Sequence, residues 1–394
     1  MNIKLNTIRS KSLFTLVCAA MLMATNVSAA DNFFTESFDF EPGQLLSLDF
    51  SSGGSITIVG WDQPGIALTY GDEHNSLDHY EIDFETNADG LSVNASSVGS
   101  NNRSSLHFDI KAPREMVLDV YTAGGSLDLR GLAGRFSGKT GGGALLIDDV
   151  TGQLDLGTGG GRIVVQNSMV DGEVRTGGGK VLVENVTGDL RASSGGGTVT
   201  YKKVYSNDGN ILSPNKRKLE DASEATVLIS NQGGRINVDA APEGADVYTG
   251  GGKIQVRGAD RFVSAKTGGG DIEIELLEGW IEASTGAGEI EVFVAENTAD
   301  KGDIKLTTGN GDIVLTLPSD FSMDLSVELG VTNNSSDKYT LSSDFDIDIE
   351  TDDQWNYSRG TPRKFTRGSA NLNGGDHRVK IHTTNGNVII RKGK

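Results

Sequence analysis

The chain has 394 residues, of which 53 are glycine, about twice the usual share, and 7 are proline. This low proline content excludes a collagen-like chain or a proline-rich linker protein. Lys and Arg number 35 against 54 Asp and Glu, a formal net charge of −19 at pH 7. Nucleic acids and anionic lipid surfaces need a basic surface that neutralises their phosphates, so we expect neither as a partner.

Residues 1–30 have the features of a secretory signal peptide. Three basic residues precede a short apolar run, Leu13–Ala24, and small residues around Ala29 allow cleavage. The run is too short to span a bilayer, and no later apolar segment is long enough. We therefore expect an exported protein in the periplasm, on the cell surface or outside the cell, with no membrane-spanning segment after signal cleavage. Cleavage also removes Cys18, the single cysteine, so no disulfide is expected.

The chain then shows a repeat of eighteen residues. Each unit has a Thr-Gly-Gly-Gly turn, or a close variant, followed by two apolar residues in alternation, which predicts a strand with one buried face. The turns begin, at intervals of eighteen within two runs, at Thr140, Thr158, Thr176 and Ser194, and at Thr249, Thr267 and Thr285. A second apolar pair stands nine residues earlier, so each unit holds two short strands.

A unit of this size cannot bury its own apolar pairs, but stacked units can, with parallel strands about 4.8 Å apart. The sequence therefore predicts an all-β protein, a parallel β-solenoid (β-helix-like) of 18-residue coils. The glycines are expected at corners that need both a positive φ and close backbone approach. On that basis we expect Gly269→Val to destabilise the fold by more than about 1 kcal/mol.

The repeat register divides the chain into four parts. They are the signal peptide (1–30), an N-terminal β cap region (31–116), the β-solenoid repeats (117–323) and a C-terminal cap with a final repeat unit (324–394). The β-rich caps are expected to cover the apolar columns and strand edges at the two ends. An inserted loop near 204–222 interrupts the repeats, and deletion of 206–219 is expected to leave the coils intact.

The units between Thr140 and Val292, and the closing segment Thr383–Ile390, resemble a broad bacterial family of exported β-strand-repeat proteins. This is the "putative adhesin" family, otherwise a domain of unknown function. The resemblance covers roughly Phe33–Lys394. It implies adhesion or another role in the cell envelope, and it carries over no catalytic or ligand-binding residue.

The sequence predicts no cofactor and no metal. Calcium-binding β-rolls repeat an aspartate beside their glycine turns, whereas the residue after the glycines here is a cation in four repeats and an acid in three of nine. An incidental site in the acidic loops 344–348 or 351–353, or at Glu73–His74 with Asp78–His79, stays open, although solvated side chains are commoner. The threonine column is better explained by hydroxyls that anchor the glycine turns than by an ice-binding array.

Two groups of residues are candidates for function. Asp148, Asp149, Asp171 and Glu184 fall near the turns opposite the glycine corners, and convergence of these carboxylates would allow polysaccharide cleavage. Outward acidic residues are expected anyway in a chain of this charge. A locally basic stretch around the insertion forms a possible partner-binding loop, with Lys202, Lys203, Lys216, Arg217 and Lys218. A tolerated, mobile insertion is the plainer interpretation of this loop.

The expected function is a non-enzymatic, exported cell-envelope binding or scaffolding protein, an adhesin with an unidentified surface, glycan or protein ligand. A polysaccharide-active β-helix enzyme and a self-assembling envelope scaffold are the alternatives.

Overall fold

A computed structural model describes residues 33–72, 77–98, 106–205, 227–276, 278–295, 301–335, 339–357 and 360–393. The predicted signal peptide and most of the insertion near 204–222 lie outside these ranges. Over the described residues there is no α-helix, and hence none that is long and apolar enough to cross a membrane. The single helical element there is a 3-10 turn, Leu77–His79.

Eight strands precede the repeats. They are β1 (Phe33–Phe38), β2 (Leu45–Phe50), β3 (Ser55–Trp61), β4 (Ile66–Asp72), β5 (Tyr80–Thr86), β6 (Gly90–Ser97), β7 (Leu106–Pro113) and β8 (Glu115–Thr122). Together with the later strands they belong to one hydrogen-bonded sheet of thirty strands.

The repeats form the strands of the middle region. These are β9 (Leu127–Thr140), β10 (Leu145–Thr158), β11 (Ile163–Thr176), β12 (Val181–Thr187), β13 (Leu190–Ser194), β14 (Val199–Tyr205), β15 (Val227–Asn231), β16 (Ile236–Val238), β17 (Ala245–Thr249), β18 (Ile254–Ala259), β19 (Phe262–Thr267), β20 (Ile272–Leu276), β21 (Gly279–Thr285), β22 (Ile290–Val294), β23 (Lys301–Thr308) and β24 (Ile313–Leu317). Leu145 pairs in parallel with Ile163, and Ile254 with Ile272, each eighteen residues later. The predicted all-β, mostly parallel architecture is confirmed.

The core consists of the alternate, inward residues of these strands. Ile254, Val256 and Ile272 have no exposed side-chain surface, and the inward residues of the repeats belong to one cluster that runs from Phe40 to Ile390. Phe262 and Trp280 are buried in a separate, smaller cluster. Because side chains alternate along a strand, the intervening residues point outward in columns that cross the repeats.

The last six strands are β25 (Met323–Thr332), β26 (Leu341–Ser343), β27 (Asp348–Thr351), β28 (Arg363–Leu372), β29 (His377–Thr384) and β30 (Val388–Lys392). The final unit, β29–β30, is not at the edge of the sheet. β29 pairs in parallel with β23 on one side and β25 on the other, and β30 lies likewise between β24 and β26. Beyond them, β25 pairs with β28 and β28 with β27 in antiparallel fashion.

The N-terminal strands follow the same plan. β2 lies between β8 and β6, and β3 between β9 and β7, all in parallel. The outer pairs β1–β4, β4–β7 and β5–β6 are antiparallel. At each end, therefore, one unit (β2–β3 or β29–β30) is inserted in parallel between the repeats and strands from elsewhere in the sequence, and antiparallel strands pair with those in turn.

Candidate binding surface

The hydroxyl that opens each glycine turn is buried. Thr158 Oγ1 donates to the carbonyl of Gly143 in the preceding repeat at 2.7 Å and accepts from the N–H of Gly161 at 3.1 Å. The same two bonds recur at Thr140, Thr176, Ser194, Thr249 and Thr267, and through the amide of Asn231. These hydroxyls anchor the turns, as the sequence predicted, and do not form an exposed array.

The first and third glycines of each turn pack against the preceding repeat. A Cβ on Gly159 would lie 2.1 Å from the carbonyl oxygen of Gly141, and one on Gly161 would lie 1.9 Å from that of Gly143. Only glycine permits this approach, so the expected close backbone contact is confirmed. The expected positive φ is wrong, because none of the Thr-Gly-Gly-Gly glycines has a left-handed φ.

The middle glycine of each turn is unconstrained. A Cβ on Gly269 would meet no atom within 4 Å, and its φ is not left-handed. The equivalent residues of the next two repeats, Ala287 and Asn310, carry a Cβ without a positive φ. The structure therefore contradicts both reasons for expecting Gly269→Val to destabilise the fold.

These middle glycines form an exposed row that we call the glycine ridge. It comprises Gly124, Gly142, Gly160, Gly178, Gly196, Gly233, Gly251 and Gly269, each with no atom within 4 Å of an added Cβ. A shallow depression of about 430 Å³ lies at its N-terminal end, between Gly124 and His107. The ridge is a strip of bare backbone along one corner of the repeats.

Charged side chains line one side of the glycine ridge. The residue after the third glycine is basic at Arg162, Lys180, Arg235 and Lys253, which we call the basic stripe. Lys253 is ion-paired with Glu273. Over the described ranges Arg162, Lys180 and Arg235 have no ion-pair partner.

The same column becomes acidic in the next three repeats, with Asp271, Glu289 and Asp312. Partial burial and then the neighbouring carboxylates, first Asp312 and Glu291, raise the pKa of Glu289. Asp312 accepts a hydrogen bond from the N–H of Asn387 at 2.7 Å. One corner of the molecule thus carries positive charge over its middle repeats and negative charge over its later ones.

The predicted basic loop is only partly described. Lys202 and Lys203 lie in strand β14, with Lys202 in register with Glu184. Lys203 has a left-handed φ of 52°. Lys216, Arg217 and Lys218 lie outside the described residues, so a partner-binding loop formed by all five residues stays a prediction.

Of the four predicted carboxylates, Asp148 and Asp171 belong to separate hydrogen-bond arrangements. Asp148 Oδ1 accepts from the side-chain amide of Asn167 at 2.9 Å, and Asn185 donates in turn to Asn167 at 2.9 Å. Asp171 Oδ1 accepts from the N–H of Asp189 at 2.8 Å. Asp149 and Glu184 are the other two, and Glu184 is aligned with Lys202 in the sheet.

Several of these side chains belong to a column of left-handed turns that the sequence analysis missed. Within this column the residues with positive φ are Gly131, Asp149, Asn167, Asn185, Lys203 and Gly258. Glycine, Asn and Asp tolerate this conformation best. The sequence signal was present as Asn167 and Asn185, eighteen residues apart.

A second acidic group, also missed, lies on a turn opposite the glycine corners. Arg261 is ion-paired with Glu243, while burial and then the nearby Glu278 raise the pKa of the adjacent Asp260. Beside this group, the ring of Trp280 stacks on the ring of Phe262 in the preceding repeat, with ring centroids 4.9 Å apart. Asp260 and Glu278 are spaced by eighteen residues, so the repeat register alone would have placed them side by side.

The residues considered as incidental metal ligands lie in different parts of the chain. His74 lies outside the described residues, whereas His79 ends the exposed 3-10 turn. Asp344 accepts from the N–H of Lys392, and Asp352 pairs with an arginine at 2.7 Å. In the described part of the chain, no three His, Asp or Glu side chains are grouped so as to hold a metal ion.

These features define an all-β repeat protein with outward columns of side chains on a mostly parallel sheet. No protein-family model and no curated protein matches the chain. A solved structure of a "putative cell adhesion protein" from Clostridium sporogenes is 12% identical, covers 92% of this chain and 100% of its own, and has a TM-score of 0.17. A "putative adhesin" from Parabacteroides merdae is 9% identical, covers 70% of this chain and 96% of its own, and has a TM-score of 0.25. TM-scores this low support no argument about fold or function.

Proposed function

We propose that this protein is an exported, non-enzymatic binding or scaffolding protein of the cell envelope, an adhesin whose repeats form a parallel β-solenoid of 18-residue coils. Export rests on the sequence of residues 1–30. The observation that carries the binding role is the register of the repeats, which aligns equivalent outward residues from β9 to β24.

Such a column suits recognition of an extended ligand. Strands in register present one outward position per repeat, about 4.8 Å from the next. The turns at the glycine corner are fixed to their neighbours by buried hydroxyl bonds such as Thr158–Gly143, and one of them by the amide of Asn231. The surface is therefore ordered before a ligand arrives, which lowers the entropic cost of binding.

Protease shaving of intact cells tests display on the cell surface. We expect external protease to digest the protein on unbroken cells while a periplasmic marker protein survives. Binding of the purified protein to envelope preparations and to a glycan array tests recognition. Complete protection on intact cells, together with no binding to any envelope fraction, would contradict the proposal.

A polysaccharide-active enzyme is the second candidate, because the raised pKa of Asp260 beside Glu278 is suited to a proton donor. Release of reducing ends from envelope polysaccharides would support it if Asp260→Asn abolished release and Asp246→Asn, a carboxylate outside this group, did not. If the folded wild-type protein releases no reducing ends, the enzyme alternative is excluded and the binding role remains.

A further inference from the structure

An exposed asparagine occupies the middle of the turn that follows β23. Asn310 stands where the earlier turns have an unconstrained glycine, and the residue after it is Gly311. A Cβ on Gly311 would lie 2.2 Å from the carbonyl oxygen of Gly288, so close packing requires glycine there. The turn does not require asparagine at position 310, since Ala287 fills the same position one repeat earlier.

An Asn-Gly pair can react with itself. The backbone nitrogen of the glycine loses its proton and attacks the side-chain carbonyl carbon of the asparagine. A C–N bond forms, and the side-chain nitrogen takes up a proton and leaves as ammonia. Water then opens the five-membered succinimide at either carbonyl, which gives aspartate or isoaspartate. Glycine favours the attack because it has no Cβ to hinder the approach. The reaction needs a free asparagine side chain, a free glycine N–H and a backbone that can bring the two together.

Asn310 meets these conditions. Its side chain is exposed, its φ is not left-handed, and no hydrogen bond holds it within the described ranges. In the turn that begins at Thr267, the N–H of Gly270 donates to the threonine hydroxyl at 3.2 Å. The hydroxyl of Thr308 bonds to the preceding repeat at 3.0 Å, but over the described residues the N–H of Gly311 has no acceptor. Both reacting groups are therefore free.

The other two Asn-Gly pairs of the sequence are held in place. Asn373 Nδ2 donates to the carbonyl of Phe321 at 3.1 Å. Asn385 Oδ1 accepts from the N–H of Thr332 at 2.9 Å. Both asparagines also have a left-handed φ, of 54° and 52°. To react, each would have to give up its hydrogen bonds and its backbone conformation, which raises the barrier.

We propose that Asn310 is a site of spontaneous deamidation, and that its isoaspartate form loosens the final unit, β29–β30. This inference does not depend on the proposed binding function. Isoaspartate routes the main chain through the former side chain and adds one backbone atom before Gly311. The carbonyl of Gly311 accepts from Thr383 Oγ1 at 2.7 Å. Asp312 Oδ1 accepts from the N–H of Asn387 at 2.7 Å. Displacement of these two acceptors breaks the bonds that hold the turn of the final unit, so the age of a molecule becomes a loss of order there.

Peptide mapping by mass spectrometry tests the reactivity. The purified protein is incubated at mildly alkaline pH, folded or in urea. In the folded protein we expect Asn310 to deamidate about tenfold or more faster than Asn373 and Asn385, and in urea we expect similar rates at all three. Asn310→Gln should abolish the reaction at this position, because glutamine would have to close a larger ring. A folded protein in which Asn310 reacts no faster than the other two asparagines would overturn the inference.

Hydrogen exchange tests the effect on the final unit. Protein aged until Asn310 has reacted should lose amide protection in β29 and β30 and keep it in β11, several repeats away. Freshly purified Asn310→Asp is the matched control, because it has the charge of the product and an unchanged main chain, and it should keep full protection. Asn310→Gln aged in parallel controls for other damage and should also keep it. Unchanged protection in the aged parent, or an equal loss in fresh Asn310→Asp, would refute the link between deamidation and the final unit.

Discussion

Adjacent glycines in one turn have different physical roles in this protein. The two outer glycines of each Thr-Gly-Gly-Gly turn touch the carbonyls of the preceding repeat, whereas the middle one faces open space. The sequence could predict the close contact, because three glycines at a fixed period imply it. It could not separate the three positions, because that distinction depends on the direction in which each Cα–H bond points at its neighbour.

Alanine substitutions in one turn measure this difference. A Cβ at Gly268 or Gly270 would lie 2.1 or 2.0 Å from a carbonyl oxygen of the preceding repeat. We expect Gly268→Ala and Gly270→Ala each to destabilise the protein by about 1–3 kcal/mol in urea unfolding. Gly269→Ala is the matched control and should stay within about 0.5 kcal/mol of the parent. Equal losses at all three positions would contradict the assigned geometry.

Lys203 is a second residue whose backbone sets its behaviour. Its φ of 52° is left-handed, a conformation that costs an ordinary residue about 1–2 kcal/mol and that Asn tolerates. Lys203→Asn should therefore stabilise the protein by about 1 kcal/mol and extend the amide row of Asn167 and Asn185. Thermal unfolding beside the neighbouring Lys202→Asn, where φ is not positive, provides the comparison. A loss of stability in Lys203→Asn would show that the lysine side chain matters more than the backbone.

At the scale of elements, the repeat period predicted the strand pairs of the middle region, including Ile254 with Ile272. It did not predict the insertion of β2–β3 and β29–β30 into the stack. Val379 pairs with Ile304, which lies 75 residues earlier. The local pattern of Val379 and Ile381 fits any coil of the repeat, so only packing in three dimensions decides which neighbours it takes.

Removal of the final unit tests this order. Deletion of residues 377–394 takes away β29 and β30, which lie between the repeats and the strands β25 and β26. We expect hydrogen exchange to show lost amide protection in β25, although that strand precedes the deletion in sequence. Protection in β11 should be retained, since repeats contact only their neighbours. Unchanged protection in β25 would argue against the interleaved arrangement.

The acidic residues that follow the basic stripe in the same column are expected to make stability depend on pH. The pKa of Glu289 is raised by burial and neighbouring carboxylates, so the folded state binds its proton more tightly than the unfolded state. Its contribution to stability therefore falls as pH rises through that raised pKa. Glu289→Gln should raise the melting temperature near pH 7 and have no such effect near about pH 3, where the carboxyl is protonated in both states. Glu184→Gln, which removes a carboxylate aligned with Lys202, should give no gain at pH 7.

For the whole molecule, the outer strands bear on the self-assembly alternative. Among the described residues β5 pairs only with β6, and β27 only with β28, so each has one unpaired edge. β5 exposes Glu81, Asp83 and Glu85, and β27 exposes Asp348 and Glu350. Like charges on the edge strands at both ends oppose pairing of one molecule with the next. We therefore expect the acidic edge strands to oppose extension of the sheet from one molecule to the next.

Neutralising one end should release that restraint. Glu81→Gln, Asp83→Asn and Glu85→Gln together remove the charge from β5 while Phe33 and Phe34 on β1, at the same end, stay 41% and 45% exposed. We expect this variant to associate at concentrations where the parent is monomeric, as measured by light scattering after size exclusion. A variant with Asp246→Asn, Glu275→Gln and Glu291→Gln loses the same charge from the repeats and should not associate. Association of both variants alike would mean that net charge, rather than the acidic edge strand, keeps the molecules apart.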